Sequence, residues 1–240
     1  MMLSASDFFD LNASDHAALF ADTTYVWQAI DHIKDYVQTL LDGDFAPNSH
    51  TFDVHPTTVI EGDVYIGEGT TIAPGCYIQG PTVIGKNCEI RQGAYIRGQV
   101  LIADRAIVGH TTEIKHSILL ENAHAPHFAY IGDSILGRDT NLGAGTKLSN
   151  LPVNSSKDPI TGKRSTIHLT IDGIVYDTEL AKFGAILGDG AQTGCNCVLN
   201  PGCVIGAGTW VYPMVSLNKG YFPPNSLIKL RQTLQVVEKR

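Results

Sequence analysis

Glycine is missing from the first 42 residues of this 240-residue chain, although 24 glycines follow from Gly43 onward. A loop that wraps its backbone N–H groups around nucleotide phosphates needs glycine, so no nucleotidyl-transferring segment is expected before Gly43. A basic segment followed by a long apolar run is also lacking. The opening MMLSASDFFDL offers neither, which predicts no signal peptide, no membrane span and a cytoplasmic location. Positive charge is in deficit too, with 17 Lys and Arg against 24 Asp and Glu and a net charge of −7. That balance argues against general nucleic-acid or membrane-surface binding and leaves room only for a local basic site.

What the chain does have is a period of six. Ile60, Ile66, Ile72, Ile78, Ile84, Ile90, Ile96, Ile102, Val108, Ile114 and Leu120 form one series of branched aliphatics. A second series of mostly small residues runs four positions behind it: Val64, Thr70, Cys76, Thr82, Cys88, Ala94, Val100, Ala106, Thr112 and Ile118. Six fits neither an α-helix nor a simple alternating strand. It predicts short strands that each turn a corner and stack as a parallel β-helix, the aliphatics filling the interior and the small residues fitting the corners. Of the five cysteines, Cys76, Cys88, Cys197 and Cys203 occupy small-residue positions, where a thiol is a compact apolar filler. Disulfides are not expected, and Cys195, off the series, reads as an ordinary free thiol.

Residues 1–50 read as a helical N-terminal cap. Val26, Ile30, Ile33, Val37, Leu40 and Leu41 follow helical spacing, Thr23 or Thr24 can start the helix, and Gly43 can end it. Such a helix would cover the open first coil, since the end of a solenoid needs a cover. The β-helix spans residues 51–222. Its period slips after Leu120, where Pro126 falls on the interior position, resumes at Ile131 and slips again at Leu136. Disagreement with an otherwise strict pattern marks a functional site or a harmless looped-out residue. Residues 151–181 interrupt the repeat with a polar loop and a hairpin turning at Asp172-Gly173. Leu187, Thr193, Leu199, Ile205 and Val211 then restore it. In the C-terminal arm, residues 223–240, alternation of Ile228, Leu230, Leu234 and Val236 predicts a closing strand.

With three faces per coil, residues eighteen apart share a corner on neighbouring coils, about 4.8 Å apart. Arg97 and Lys115 stand in that relation, below Glu61 and Gln79. Two stacked cations suit a shared anion such as phosphate, or they splay apart into solvent. His110, His116, His124 and His127 crowd the same region. A zinc site of three histidines is one reading, but their spacings match no ligand set, and a single histidine acting as general base is simpler.

The stretch HFAYIGDSILGRDTNLGAGTKLSN resembles the acetyltransferase domain of the bifunctional enzyme family that makes UDP-N-acetylglucosamine, over roughly residues 52–150 and 182–215. The resemblance implies a left-handed β-helix, a homotrimer and active sites at subunit boundaries. It implies acetyl-CoA as co-substrate, with no metal required for acetyl transfer. By position it makes His127 the general base, Arg97 and Lys115 the cations for the sugar phosphate, and Tyr130, Asn141 and Lys182 further substrate contacts. Ala144, Asn150 and Cys195 fall where coenzyme A contacts would lie. The family's nucleotidyltransferase domain has no counterpart here, and the insertion before Lys182 is long.

The expectation is an acetyl-CoA-dependent N-acetyltransferase acting on an amino-sugar phosphate, glucosamine 1-phosphate first. Alternatives are an acyltransferase for another, nucleotide-linked amino sugar, a zinc-dependent carbonic-anhydrase-like protein, or a non-catalytic trimeric sugar-phosphate binder.

Overall fold

The computed structural model describes residues 3–238, and from Val59 to Ile228 the chain is a left-handed parallel β-helix of triangular coils, interrupted by the inserted hairpin. The period of six produces it directly. Ile78, Ile84, Ile90, Ile96, Ile102, Val108 and Ile114 are all buried and stack in one interior cluster, each contributing about 1.5–3 kcal/mol by leaving water. On the first face, Val59 pairs with Tyr77, Tyr77 with Tyr95 and Tyr95 with Glu113, always in parallel. The second face starts at Val64–Ile66, and the third is an eight-stranded sheet running from Thr71–Ile72 to Leu227–Ile228.

The small residues do more than fit corners. Thr70 Oγ1 donates to the Gly85 carbonyl at 2.6 Å, Thr112 Oγ1 to Ala125 at 3.1 Å and Thr209 Oγ1 to Pro223 at 2.7 Å. Thiols at equivalent positions act likewise: Cys76 donates to Arg91, Cys88 to Ala103 and Cys197 to Tyr212, each at 3.1 Å, and Cys203 to Asn218 at 3.2 Å. Each of these donors reaches forward to the coil that follows. The cysteines are therefore weak donors standing in for threonine, rather than the purely apolar filler expected.

The slip in the period begins earlier than expected. Between the first and second faces, Arg97 and Val100 are separated by two residues, whereas Lys115 and Ser117 are separated by His116 alone; Val100 accordingly pairs with Ser117. Asp133 makes the same one-residue corner in the next coil. Both corner residues have left-handed backbones, φ +44° and +46°. The two faces run together there as the seven-residue strands Glu113–Leu119 and Tyr130–Leu136. Leu119 and Ala125 thus occupy the interior, while Ile118 and Leu120 face outward. Assigning Leu120 to the interior series and Ile118 to the corner series is corrected accordingly.

The outward positions of the second face explain the N-terminal segment. Val83, Leu101, Ile118, Ile135, Ile186 and Val204 form an apolar strip on the outside of the solenoid, buried by the helix Ala29–Asp42 and the segment before it. The helix does not cover the open first coil; it lies along the flank. The end is covered instead by residues 48–52: Asn48 accepts from Ile66 N–H at 2.8 Å and donates to its carbonyl at 2.8 Å, and Phe52 packs on the interior. No threonine hydroxyl starts the helix; Gln28 Oε1 accepts from the N–H groups of Thr24 and Tyr25 at 2.8 and 2.9 Å.

The hairpin forms as expected, His168–Ile171 against Ile174–Asp177, with Asp172 and Gly173 at φ +51° and +80°, the conformation a two-residue turn demands. Ile167, Leu169 and Ile171 are buried, and Tyr176 packs edge-on against Tyr25 and Trp27. The closing strand is short. Only Leu227–Ile228 pairs with the third face; residues 229–238 follow without regular structure, Leu234 and Val236 are exposed, and Lys239 and Arg240 lie outside the described residues.

Candidate active site

The corner between the first and second faces collects the first group of predicted residues. Arg97 ends the strand Tyr95–Arg97 and Lys115 holds the next position of that column within Glu113–Leu119, each following an interior aliphatic. The next residue in that column is Gly132, paired with Lys115. A Cβ at Gly132 would meet Asn150 Nδ2 and Tyr130 Oη at 2.8 Å, so the missing side chain lets those two groups close over this position.

The two cations are not equivalent. Arg97 is bound to Glu113 at 2.6 Å and lies 5.6 Å from the centre of the Tyr95 ring. The hydrogen bond it donates to Glu113 holds the guanidinium above its ordinary range. An anion between Arg97 and Lys115 must therefore compete with a resident carboxylate.

Behind Lys115, the one-residue corners are wired together. His116 Nδ1 lies 2.9 Å from Asp133 Oδ1, Asp133 Oδ2 accepts from Asn150, and Tyr130 Oη donates to Asn150 Oδ1 at 3.2 Å. Burial alone would raise the Asp133 carboxyl, but the hydrogen bonds from His116 and Asn150 and the charge of Lys115 outweigh it and hold the group below its ordinary value. Burial, with Glu113 and Asp133 nearby, pushes the Tyr130 phenol up. The insertion leaves after Asn150 and returns to the same corner, where Phe183 N–H donates to the Asn150 carbonyl at 3.0 Å and Gly184 N–H to Asp133 at 2.8 Å. Lys182, exposed, is delivered there. Asn150 is thus engaged within this network rather than in an open groove.

The remaining predicted residues lie across the first face or beyond it. His127 ends the third-face strand His124–His127, at the corner leading into Tyr130, and pairs with His110. Its ring is exposed and, among the described residues, has no hydrogen-bond partner. Ala144 and Cys195 stack on this corner further along, the Asn196 N–H donating to the Ala144 carbonyl at 2.8 Å and Cys195 being exposed. Asn141 lies on the third face, paired with His124 and Gln192, on the other side of that corner from Tyr130. A single chain therefore places Arg97, Lys115 and Tyr130 on one face, His127 at its edge, and Asn141 on another face.

The family model described as the GMPPB C-terminal domain matches residues 78–171. A bifunctional sugar-1-phosphate nucleotidylyltransferase/acetyltransferase from Sulfurisphaera tokodaii is 31% identical over 220 residues, 90% of this chain and 52% of its own length. A bifunctional protein GlmU from Methanococcus aeolicus is 37% identical over 188 residues, 77% of this chain and 41% of its own. The chain is similar in sequence to these bifunctional proteins over most of its own length. It spans about half or less of the length of these curated relatives. Among solved structures, a mutant perosamine N-acetyltransferase from Caulobacter crescentus, in complex with CoA and GDP-perosamine, matches at 24% identity and a TM-score of 0.39, covering 46% of this chain and 54% of that one.

Three residues at the corner, Glu113, Asp133 and His116, make contacts that the sequence did not assign to them. Glu113 alternates with Lys115 on the outward side of one strand, so its place beside Arg97 was available from the repeat. Asp133 stands inside the YIGDS motif, but its bond to His116 crosses a coil of seventeen residues rather than eighteen. His116 is the histidine of the cluster that has a carboxylate partner at this corner, which spacing along the chain alone does not indicate.

Proposed function

We propose that the protein is an acyl-coenzyme A dependent N-acetyltransferase acting on an amino-sugar phosphate, with glucosamine 1-phosphate as the first acceptor to test. The observation that carries this reading is the grouping of Arg97, Lys115 and Tyr130 on one face of consecutive coils, with His127 at its edge. Relationship to proteins named acetyltransferases supports the class of reaction.

On this reading the phosphate sits against Lys115 and Arg97, displacing Glu113 from Arg97 and freeing its carboxylate to accept from a sugar hydroxyl. Tyr130 and Lys182 hold the sugar. The acceptor ammonium gives a proton to His127, the amine attacks the thioester carbonyl, the C–S bond breaks, and the coenzyme A thiolate leaves as the thiol by taking up the second proton shed by the acylated nitrogen. Fixing the amine by its distant phosphate lowers the barrier by orientation, and a positioned base adds ~10² to 10⁴ in rate. Ala144 and Cys195, stacked beyond His127, mark the groove for the acyl donor.

Asn141 faces away from Tyr130 within one chain, so a contact from it to the same sugar requires a neighbouring copy. The proposed assembly is a trimer with sites shared between subunits. Thiol release from acetyl-CoA, measured with a panel of amino sugars, tests the reaction. Acetylation of glucosamine 1-phosphate well above free glucosamine is the expected result, and no thiol release with any member of the panel would overturn the reading.

A further inference from the structure

A pocket of about 710 Å³ lies beyond the site, between the inserted segment and the corner joining the first and second faces. It continues a column already described. Arg97, Lys115, Gly132, Ser149, Asn200 and Asn218 each follow the interior residue of a first-face strand, and the last three line the pocket. At about 4.8 Å per coil, Ser149 stands two coils, roughly 10 Å, beyond Lys115. Asn150, held by Asp133 and Tyr130, is the partition between the two compartments.

The roof is built into the fold. A Cβ at Gly202, where φ is +89°, would meet Leu169 Cδ2 at 2.9 Å and Ile167 Cγ2 at 3.1 Å, so the absence of a side chain lets the hairpin seat directly on that corner. Preformed concavities of this size are what small-molecule sites use, commonly about 300–1,000 Å³.

The lining states what it prefers. In a chain of net charge −7, the described residues lining this pocket include no aspartate or glutamate. They offer hydroxyls and amides, with Lys219 as the cation. An adjoining hollow of about 450 Å³ shares Ser156 and Ser165 and adds Lys157, Lys163 and Arg164. Its one acid, Asp158, is already occupied by the N–H groups of Ile160 and Thr161 at 3.0 and 2.6 Å. Cations around a carboxylate-free, hydroxyl-binding surface suit a ligand with both phosphate and many hydroxyls. Leu151 and Ile167 add apolar wall for a ring.

We propose that this pocket holds the nucleotide portion of a substrate, a nucleoside with its phosphates, whose reacting end lies on the Arg97 and Lys115 face. The proposal rests on the acetyl-transfer reading. The nucleotide has two possible sources, an acceptor sugar carried on a nucleoside diphosphate or the coenzyme A of the donor.

Calorimetry on the full chain distinguishes them, with UDP and GDP as probes for the first source and adenosine 3′,5′-bisphosphate for the second. At least one probe should bind with Kd below about 1 mM, and Lys219→Glu should weaken it about tenfold or more, a loss of about 1.4 kcal/mol. Affinity for glucosamine 1-phosphate should change less than about twofold, because its cations lie on the other side of Asn150. The class of probe that binds identifies the source. Failure of every probe to bind, or binding that Lys219→Glu leaves unchanged, would overturn the proposal. Binding needs no turnover, so absence of acetyl transfer would count against the proposed function alone.

Discussion

Removing the charge of Asp133 should make the protein less stable at neutral pH and flatten its acid response. The carboxylate is buried and accepts from both His116 and Asn150. Hydrogen bonds to a charged group contribute about 1.5–3 kcal/mol each. The two share one network and do not add fully, so Asp133→Ala should cost about 3–5 kcal/mol, the range for breaking a buried polar pair. Asp133→Asn keeps the shape and one acceptor and should lose roughly half of that. The sign of the pH effect follows from the direction of the shift. The folded-state pKa lies below the ordinary 3.8, so the stabilisation is complete above the unfolded value, near ~3.9, and is lost as pH falls through the folded one. Urea unfolding followed by fluorescence of the buried Trp27 measures both. Wild type should lose its advantage over Asp133→Asn below about pH 4. If the two proteins have equal midpoints at neutral pH, or decline in parallel through acid, the corner network is not a source of stability.

Three other outcomes are expected. His127→Ala should lower kcat by ~10² to 10⁴ with little change in KM for the amino sugar; near-full kcat would move the base to another histidine of the cluster, first to His116 with its carboxylate partner. Glu113→Gln should lower KM for the phosphorylated sugar and Arg97→Ala raise it, since the first frees a cation that the second removes; an unchanged KM in both would show that the phosphate sits elsewhere. Thiol titration of the native protein should find one fast cysteine, because Cys195 is exposed while burial pushes Cys88 up to about 11 and Cys203 up to about 12; acetyl-CoA should slow its modification, and no protection would remove Cys195 from the donor groove.

The solenoid was legible because its cause is local and repeated, one aliphatic in every six residues. The placement of the slip was not, because Ile118, Leu119 and Leu120 are consecutive and any of them can fill an interior slot. The pairing of Val100 with Ser117 decides it. The flank position of the helix had a readable signal in Val83 and Leu101, outward-facing apolar residues that a lone solenoid would leave in water. At the site, positions along one column followed from the period. The bonds among His116, Asp133, Asn150 and Tyr130 did not, since they depend on two shortened corners and on where a thirty-residue excursion re-enters the fold.

The forward-reaching threonines and thiols give the two ends of the solenoid unequal standing. Each of these side-chain donors is satisfied by a carbonyl that the next coil supplies, so a nascent coil leaving the ribosome carries them unmet until its successor is made. Cutting the chain after Leu199 would strand Cys197, which reaches Tyr212. Within this side-chain series, cutting at the other end would strand only acceptors, and a carbonyl with a spare lone pair tolerates that better than a buried donor does. For these side chains the β-helix is therefore polar, each coil relying on the one after it.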